Sequence, residues 1–347
     1  MGDPLKPFEI NRRPIGPGCR TYIIAEMSGN HGQDIGRAKN IIEAAKICGA
    51  DAIKLQTYTA DTITIDCNKE PFMFKGQSLY KLYQDAHTPW EWHSELIQIA
   101  QQLDLDVFST PFDSTAVDFL ETLCVPAYKI ASSEIVDIAL LKKIACTQKP
   151  VILSTGMATE LEIQEAIDIL GKSGCEMLAL LKCTATYPAL PEEMNLRSIP
   201  AMSRRFGLVV GLSDHSMGHN VAVASVALGA SIIEKHLTLS RSDRSPDAEF
   251  SMEPQEFRSM VEAIRIVEEA LGIETYGPQG REEISKKYRR SLFVVRDILV
   301  GDLITETNVR SIRPAQGLSP EYLPEVLGRR ARCDIETGTP LSWDLLS

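Results

Sequence analysis

The sequence predicts an α/β protein, a closed (β/α)8 (TIM) barrel followed by a small β-rich module. Three observations carry this reading. Short β-branched runs alternate with amphipathic, helix-like stretches from Thr21 onward, the order that a parallel sheet requires. Eight such runs occur, spaced by about 30 residues, the size of one βα unit, and that number favours closure over an open sheet. Beyond the eighth unit the helical period stops, and short strand-like runs between glycine turns follow.

In order, the predicted barrel strands are Thr21–Met27, Asp51–Thr57, Asp106–Phe112, Ala127–Ser132, Pro150–Gly156, Met177–Thr184, Leu208–His215 and Ser231–Thr238. Between the second and third lies a long insertion, Tyr58 to Thr88; an excursion after a barrel strand falls at the catalytic mouth and reads as a lid or substrate loop. A helix should start at Thr88-Pro89, a cap followed by proline at the first helical position, and run through Trp92, Leu96, Ile99 and Leu103. Trp90, Trp92 and His93 read as packing and surface residues of that helix, and His87 and His219 as surface or supporting residues. The barrel is expected over residues 1–275, a linker over 276–290, where Gly-Pro-Gln-Gly leads into the charged run Arg281–Arg290, and the second domain over 291–347. That domain shows strand candidates at Ser291–Val295 and Arg310–Arg313, and a module so short has a thin core and should dock on something.

Composition narrows the function. Against 47 Asp+Glu stand 36 Lys+Arg, a net charge of −11 without a basic run, which argues against nucleic acid as a partner. The first twenty residues lack the apolar core of a signal peptide, and the longest apolar stretch, Val221 to Ile233, is too short for a membrane span. A cytoplasmic protein is expected. The 8 cysteines form no CxxC pair and read as reduced structural thiols.

Every predicted barrel strand ends polar: Glu26; Lys54 and Gln56; Ser109 and Thr110; Lys129 and Ser132; Ser154 and Thr155; Lys182 and Thr184; Ser213, Asp214 and His215; Glu234, Lys235 and His236. Buried without partners, such groups cost several kcal/mol each, so the pattern reads as an active site at the C-terminal end of the barrel. His215 and His236 end neighbouring strands, and Glu234 shares a face with His236. Two imidazoles without cysteine suit an open, octahedral divalent cation such as Mn²⁺, with Mg²⁺ or Co²⁺ as alternatives, completed by water and substrate oxygens. Lys54 and Lys129, with the hydroxyls of Thr110, Ser132, Ser154 and Thr155, suit a small phosphate or carboxylate; alternatively they pair with Glu26 or Glu234, or a lysine such as Lys129 or Lys182 forms a Schiff base.

At these residues the sequence resembles the sialic acid synthase family. The matching pieces are IIAEMSGNHG (23–32), ADAIKLQTYT (50–59), FSTPFD (108–113), YKIASSE (128–134), STGMAT (154–159), KCTATYP (182–188), GLSDHSMG (211–218) and IIEKHLTL (232–239). GDLITETNV (301–309) and SIRPAQGL (311–318) look like the family's antifreeze-like (SAF) domain. The resemblance covers nearly the whole chain. It implies condensation of phosphoenolpyruvate with an N-acetylated amino sugar and release of phosphate by C–O cleavage. It also implies metal ligation by His215 and His236, and phosphoenolpyruvate contacts from Lys54, Thr110, Lys129, Ser132, Ser154 and Ser213. Glu26 becomes the acid/base or water-orienting carboxylate, with Glu234 as its alternative. Gln56, Tyr187 and Asp247 become sugar contacts, and Arg313 the arginine that a partner subunit inserts into the site, which implies a domain-swapped homodimer. The loops QTYTADTIT, SLYKLYQDAHTPWEWHS and EKHLTLSRSDRSPDAEFSMEP look most like the branch whose acceptor is 2,4-diacetamido-2,4,6-trideoxy-L-altrose; a sialic or legionaminic acid synthase with a manno-configured acceptor is the alternative. Ala185 stands where sialic acid synthases often carry asparagine, and loss of an amide suits a different acceptor. A sugar-binding protein without turnover is the remaining rival.

Overall fold

The structure is a computed structural model that describes residues 5–74, 76–243 and 245–347; Met1–Pro4, Lys75 and Arg244, each within a stretch read above, lie outside them. The chain divides between Gly272 and Ile273 into two compact units.

The first unit opens with a short antiparallel hairpin, β1 (Phe8–Ile10) and β2 (Arg13–Ile15). The barrel strands are β3 (Tyr22–Glu26), β4 (Ala52–Thr57), β7 (Asp106–Pro111), β8 (Tyr128–Ile130), β9 (Val151–Ser154), β10 (Leu178–Cys183), β11 (Val209–Asp214) and β12 (Ile232–His236). Between β4 and β7 the insertion holds the two-residue strands β5 (Met73–Phe74) and β6 (Gln77–Ser78). The eight barrel strands close in parallel, with β12 pairing β3, and each lies within a run predicted from the sequence.

Alternation sorts each strand into two faces. Tyr22, Ile24, Ala52, Phe108, Ile152, Leu181, Val209 and Ile232 point inward and fill the lower barrel, whereas Ile23, Ile53, Val107, Leu180, Leu212 and Ile233 join the layer packed by the helices. Gly211 stands on the inner face, where a Cβ would meet Ile232 O at 2.4 Å and Leu181 Cδ2 at 2.7 Å, so the close approach of β11 to its neighbours requires glycine there.

Ile10 and Ile15 of the hairpin join the inner cluster and close the barrel's lower end. Asp106, at the start of β7, holds the hairpin: it accepts from Asn11 Nδ2 at 2.8 Å and Tyr22 OH at 2.8 Å and pairs with Arg13 Nε at 3.1 Å. The sequence reading missed this hairpin. Its strands are three residues long, and its turn, Asn11-Arg12 at φ 47° and 70°, lacks the Asn-Gly signal usual for such backbone. Replacing Asp106 by alanine is expected to cost about 2–4 kcal/mol, because it leaves Tyr22 and Arg13 without their buried acceptor. Denaturant unfolding measures it, and an unchanged midpoint would show that the hairpin is not anchored there.

The helix expected at Thr88-Pro89 begins as the 3-10 turn Trp90–Trp92 and continues over His93–Gln102. Trp90 stacks on Phe119 and Trp92 meets His31 edge-on; His93 is buried against Thr57 Oγ1 at 2.9 Å. These are packing contacts, as the reading of that helix anticipated.

In the second unit, β13 (Ser291–Val294) pairs antiparallel with β14 (Val309–Ile312), the latter one residue earlier than predicted. Leu292, Val294, Ile298, Ile304, Val309, Val326, Ile335 and Leu341 make its core. Gly317 admits the chain against Leu292 O, which a Cβ would meet at 2.1 Å. Residues 276–290, read as a linker, carry the short helix Arg281–Ser285 and the turn Lys286–Tyr288.

Candidate active site

The polar ends of the barrel strands converge on a cavity of about 540 Å³ at the C-terminal mouth. Register decides which groups meet. Closure sets His236 opposite Glu26, Glu26 opposite Lys54, and Ser213 opposite Glu234. Glu26, Lys54, Gln56, Lys129, Ser154, Ser213, Glu234 and His236 therefore face one space, and the loops that follow the strands add Ser132, Tyr187, His215 and Asp247.

Two lysines and two glutamates form its buried floor. Lys54 Nζ pairs closely with Glu26 Oε2, lies 3.8 Å from Glu234 Oε2 and donates to Thr110 Oγ1 at 3.2 Å. Lys129 Nζ donates to Ser154 Oγ at 2.6 Å and lies 3.9 Å from Glu234 Oε1, which also accepts from Ser213 Oγ at 3.0 Å. Both lysines thus pair with the carboxylates, as one of the three readings has it, and both line the cavity. Burial pulls the Lys129 ammonium down from its ordinary range, whereas for Lys54 the two carboxylates outweigh burial and raise it. Burial pushes Glu26 up, to about 7, against the pull of Lys54. Glu234 goes the other way: burial would raise it, but Lys129 and Lys54 together hold it below the usual carboxylate range. Neighbouring carboxylates are thus tuned apart, one a standing anion and the other poised to exchange a proton near neutrality.

Gln56 Nε2 donates to Glu26 Oε1 at 3.3 Å and to Ser28 Oγ at 3.0 Å. Ser132 Oγ accepts from Gly156 N at 3.0 Å, which turns it across the mouth.

The imidazoles of His215 and His236 lie with centroids 5.4 Å apart. His215 Nδ1 stands 2.9 Å from Thr184 O; a carbonyl only accepts, so Nδ1 carries the proton, and although burial would lower this imidazole, its side-chain hydrogen bond with Cys183 and the backbone bond to Thr184 raise it. His236 Nδ1 is buried without a hydrogen-bond partner, 3.9 Å from Asp247 Oδ2. Burial, reinforced by the His215 charge, holds His236 well below the usual imidazole range, so it is a neutral donor. Among the described residues no group of three or more His, Cys, Asp and Glu is gathered as a metal cage. Two imidazole nitrogens with open positions fit a divalent cation that shares its remaining sites with water and substrate.

The insertion supplies the outer wall. It carries the helical turn Ala60–Ile63 and the helix Leu79–Ala86, whose N-terminus Ser78 caps through Lys81 N at 3.2 Å. Tyr58, Ile63, Leu82, Tyr83 and Ala86 line the cavity, and the Tyr58 ring meets Phe112 and Tyr83 edge-on at 5.1 and 5.8 Å. Tyr187 packs over His215 at 4.3 Å.

Several strand-end residues stand elsewhere. Thr110 is buried behind Lys54 and does not line the cavity, so it reaches a ligand only through that ammonium. Thr155 donates to Leu181 O at 3.0 Å and, with Lys182, lines a separate cleft of about 500 Å³ between the helices Glu160–Lys172 and Ser198–Phe206. Asp214 and Lys235 pair with each other on the helix-facing side of the wall. Arg313 is exposed on the C-terminal unit. Conversely, Cys183 lines the cavity, where the sequence reading had placed only structural thiols. On β10, Ala179 and Leu181 point inward, so the same alternation that removes Lys182 from the cavity brings Cys183 into it.

A barrel with this floor and a two-histidine mouth belongs to a family that the comparisons identify. The NeuB family matches residues 41–276 and the SAF domain matches residues 289–347; the chain belongs to the NeuB family. It is 45% identical to the pseudaminic acid synthase of Helicobacter pylori over 93% of this chain and 96% of that protein. To the N,N'-diacetyllegionaminic acid synthase of Campylobacter jejuni it is 38% identical over 90% of this chain and 96% of the relative. The crystal structure of the spore coat polysaccharide biosynthesis protein SpsE of Bacillus subtilis superposes with a TM-score of 0.68 at 31% identity, covering 98% of this chain and 99% of that one.

Proposed function

We propose that this chain is a phosphoenolpyruvate-dependent nonulosonic acid synthase that condenses phosphoenolpyruvate with 2,4-diacetamido-2,4,6-trideoxy-L-altrose to form pseudaminic acid and inorganic phosphate. The observation that carries this reading is the joining, in one cavity, of a buried two-lysine anion floor and a two-imidazole mouth. Identity favours the altrose branch, at 45% against 38% for the legionaminic relative.

Lys54 and Lys129, with Ser132, Ser154 and Ser213, hold the phosphate and carboxylate of phosphoenolpyruvate, and Thr110 orients Lys54. His215 and His236 hold a divalent cation, Mn²⁺ in this reading, which supplies Lewis-acid polarisation of the acceptor's aldehyde when bound. Gln56, Tyr187 and Asp247 line the cavity where the acceptor is oriented. The C2=C3 π pair of phosphoenolpyruvate forms the bond from C3 to the aldehyde carbon as the C=O π pair moves to oxygen, leaving C2 electron-deficient. Water adds at C2 as Glu26 takes its proton, a proton that passes to the new alkoxide, and the tetrahedral carbon then breaks its C2–O bond to phosphate as its hydroxyl proton goes to the departing phosphate and the C2 ketone forms. Glu234, a standing anion between the two lysines, fixes them and balances their charge. Arg313 is assigned to the cavity of a second copy, which makes the active form a homodimer. A cytoplasmic setting suits the 8 free cysteines; among the described residues no helix is long and apolar enough to cross a membrane.

The test is phosphate release from phosphoenolpyruvate with Mn²⁺ and three acceptors: the diacetamido trideoxy-altrose, its manno-configured counterpart, and N-acetylmannosamine. Turnover is expected with the altrose alone and should vanish with chelator and return with Mn²⁺. Turnover with only a manno acceptor would move the chain to the legionaminic or sialic branch. Silence with all three would sink the reading.

A further inference from the structure

Behind the two histidines lies an ion pair that the chemistry above does not use. Lys235 Nζ donates to Asp214 Oδ2 at 2.7 Å and to Ser216 O at 2.5 Å. Asp214 Oδ1 accepts from Ser216 N at 2.9 Å and Ser216 Oγ at 2.7 Å. Both charged side chains are enclosed, at 1% and 0% exposure. By alternation they share the helix-facing side of β11 and β12 with Leu212, Ile233 and Leu237, a layer otherwise apolar. A buried ion pair in such a layer is no more stabilising than well-packed hydrophobic side chains of similar volume, because desolvation offsets the attraction. Its place therefore calls for a reason other than stability.

Register supplies one. Asp214 and Lys235 are direct cross-strand partners. The residues on either side of them in the chain, Ser213 and His215 around Asp214 and Glu234 and His236 around Lys235, all face the cavity. Ser216, the next residue along, is tied to both members of the pair, and His215 O accepts from Ala189 N at 3.0 Å. The peptide that carries His215 is thus pinned on both sides.

We propose that Lys235, Asp214 and Ser216 form a positioning clamp that locks the ends of β11 and β12 together, and so holds the two imidazoles at the separation a shared cation needs. This rests on the metal reading given under the proposed function. The residues touch neither substrate nor cation; they act through His215 and His236.

The experiment replaces the pair with apolar residues of similar volume, Asp214→Leu together with Lys235→Met, in the full-length protein. The denaturant midpoint should be equal to or higher than that of the wild type. Mn²⁺ affinity, read from free Mn²⁺ by electron paramagnetic resonance, should weaken at least about tenfold, and kcat should fall by about a hundredfold, the scale of a 1 Å misplacement. The KM for phosphoenolpyruvate should stay within a few-fold, since of the assigned contacts only Ser213 lies on a clamped strand. A double variant with wild-type Mn²⁺ affinity and kcat overturns the clamp, as does one that loses stability alone. If the double variant does not fold, Ser216→Ala decides: weakened Mn²⁺ binding at an unchanged midpoint supports the clamp, and unchanged binding overturns it. A wild type that turns over without any cation would defeat the metal reading by itself, and the comparison of kcat with KM would still decide the clamp.

Discussion

Replacing Lys54 by methionine is expected to destabilise the protein by about 3–5 kcal/mol and to abolish measurable turnover. Among the described residues Lys54 is the one cation paired with both Glu26 and Glu234, at 5% side-chain exposure against 1% and 6% for the glutamates. Removing it strands two carboxylates in a water-poor floor, and breaking a buried pair from one side carries a penalty of about that size. Turnover falls for a separate reason: the ammonium faces the cavity where the phosphoenolpyruvate anion is assigned, and deleting a preorganised charge there costs at least about a hundredfold in rate. The two effects are separable. Adding Glu26→Gln to Lys54→Met should recover much of the unfolding midpoint, since one stranded charge is gone, but none of the phosphoenolpyruvate binding. Denaturant melts and a phosphoenolpyruvate titration on both variants give the cycle. If Lys54→Met binds phosphoenolpyruvate as tightly as the wild type, the anion site lies elsewhere.

Glu26→Gln by itself should lower kcat by about 10²–10⁴-fold and flatten the acidic limb of the pH profile. The sign follows from the role. Only the carboxylate can accept a proton from water, and burial pushes this carboxyl up to about 7. Below that pH the protonated fraction grows, so kcat/KM should fall as pH drops and level off above it. Phosphoenolpyruvate has a phosphate ionisation of its own near about pH 6, which persists in Glu26→Gln; the difference between the two profiles isolates Glu26. A limb that survives unchanged in the variant would assign the titration to another group. A wild-type rate that rises as pH falls would make Glu26 an acid instead of a base. Glu234, held low by Lys129 and Lys54, offers no ionisation in that range to take its place.

Much of this site was legible as a pattern along the chain. A barrel strand alternates inner and outer residues and ends at the catalytic mouth, so a polar residue closing an apolar run marks the mouth whatever its neighbours in space. That rule placed Glu26, Lys54, Lys129, Ser154, Ser213, Glu234 and His236 correctly in the cavity. On β10 the strand-end rule needs parity as well, because alternation points Lys182 to the helices and Cys183 inward. Asp214 and Lys235 likewise close apolar runs, but alternation sends them outward, where they meet each other.

Other features had no signal along the chain. The N-terminal hairpin is too short for a periodicity, and it becomes visible only because Ile10 and Ile15 find the open lower end of the barrel. The insertion could be placed at the mouth, but not the packing of Tyr58 against Tyr83 and Phe112, residues 25 and more positions away. The opposed shifts of Glu26 and Glu234 were equally hidden, since they depend on which carboxylate the closing barrel sets between Lys54 and Lys129.

By itself, then, the sequence determined the fold, the end of the barrel that carries the chemistry, and the kinds of side chain presented there, because each is a matter of local period and of where an apolar run stops. Only the tertiary structure decided which carboxylate burial pushes up, which thiol faces the cavity and which charges pair behind it. Those depend on register between strands far apart in the chain and on burial, and no short-range pattern encodes either.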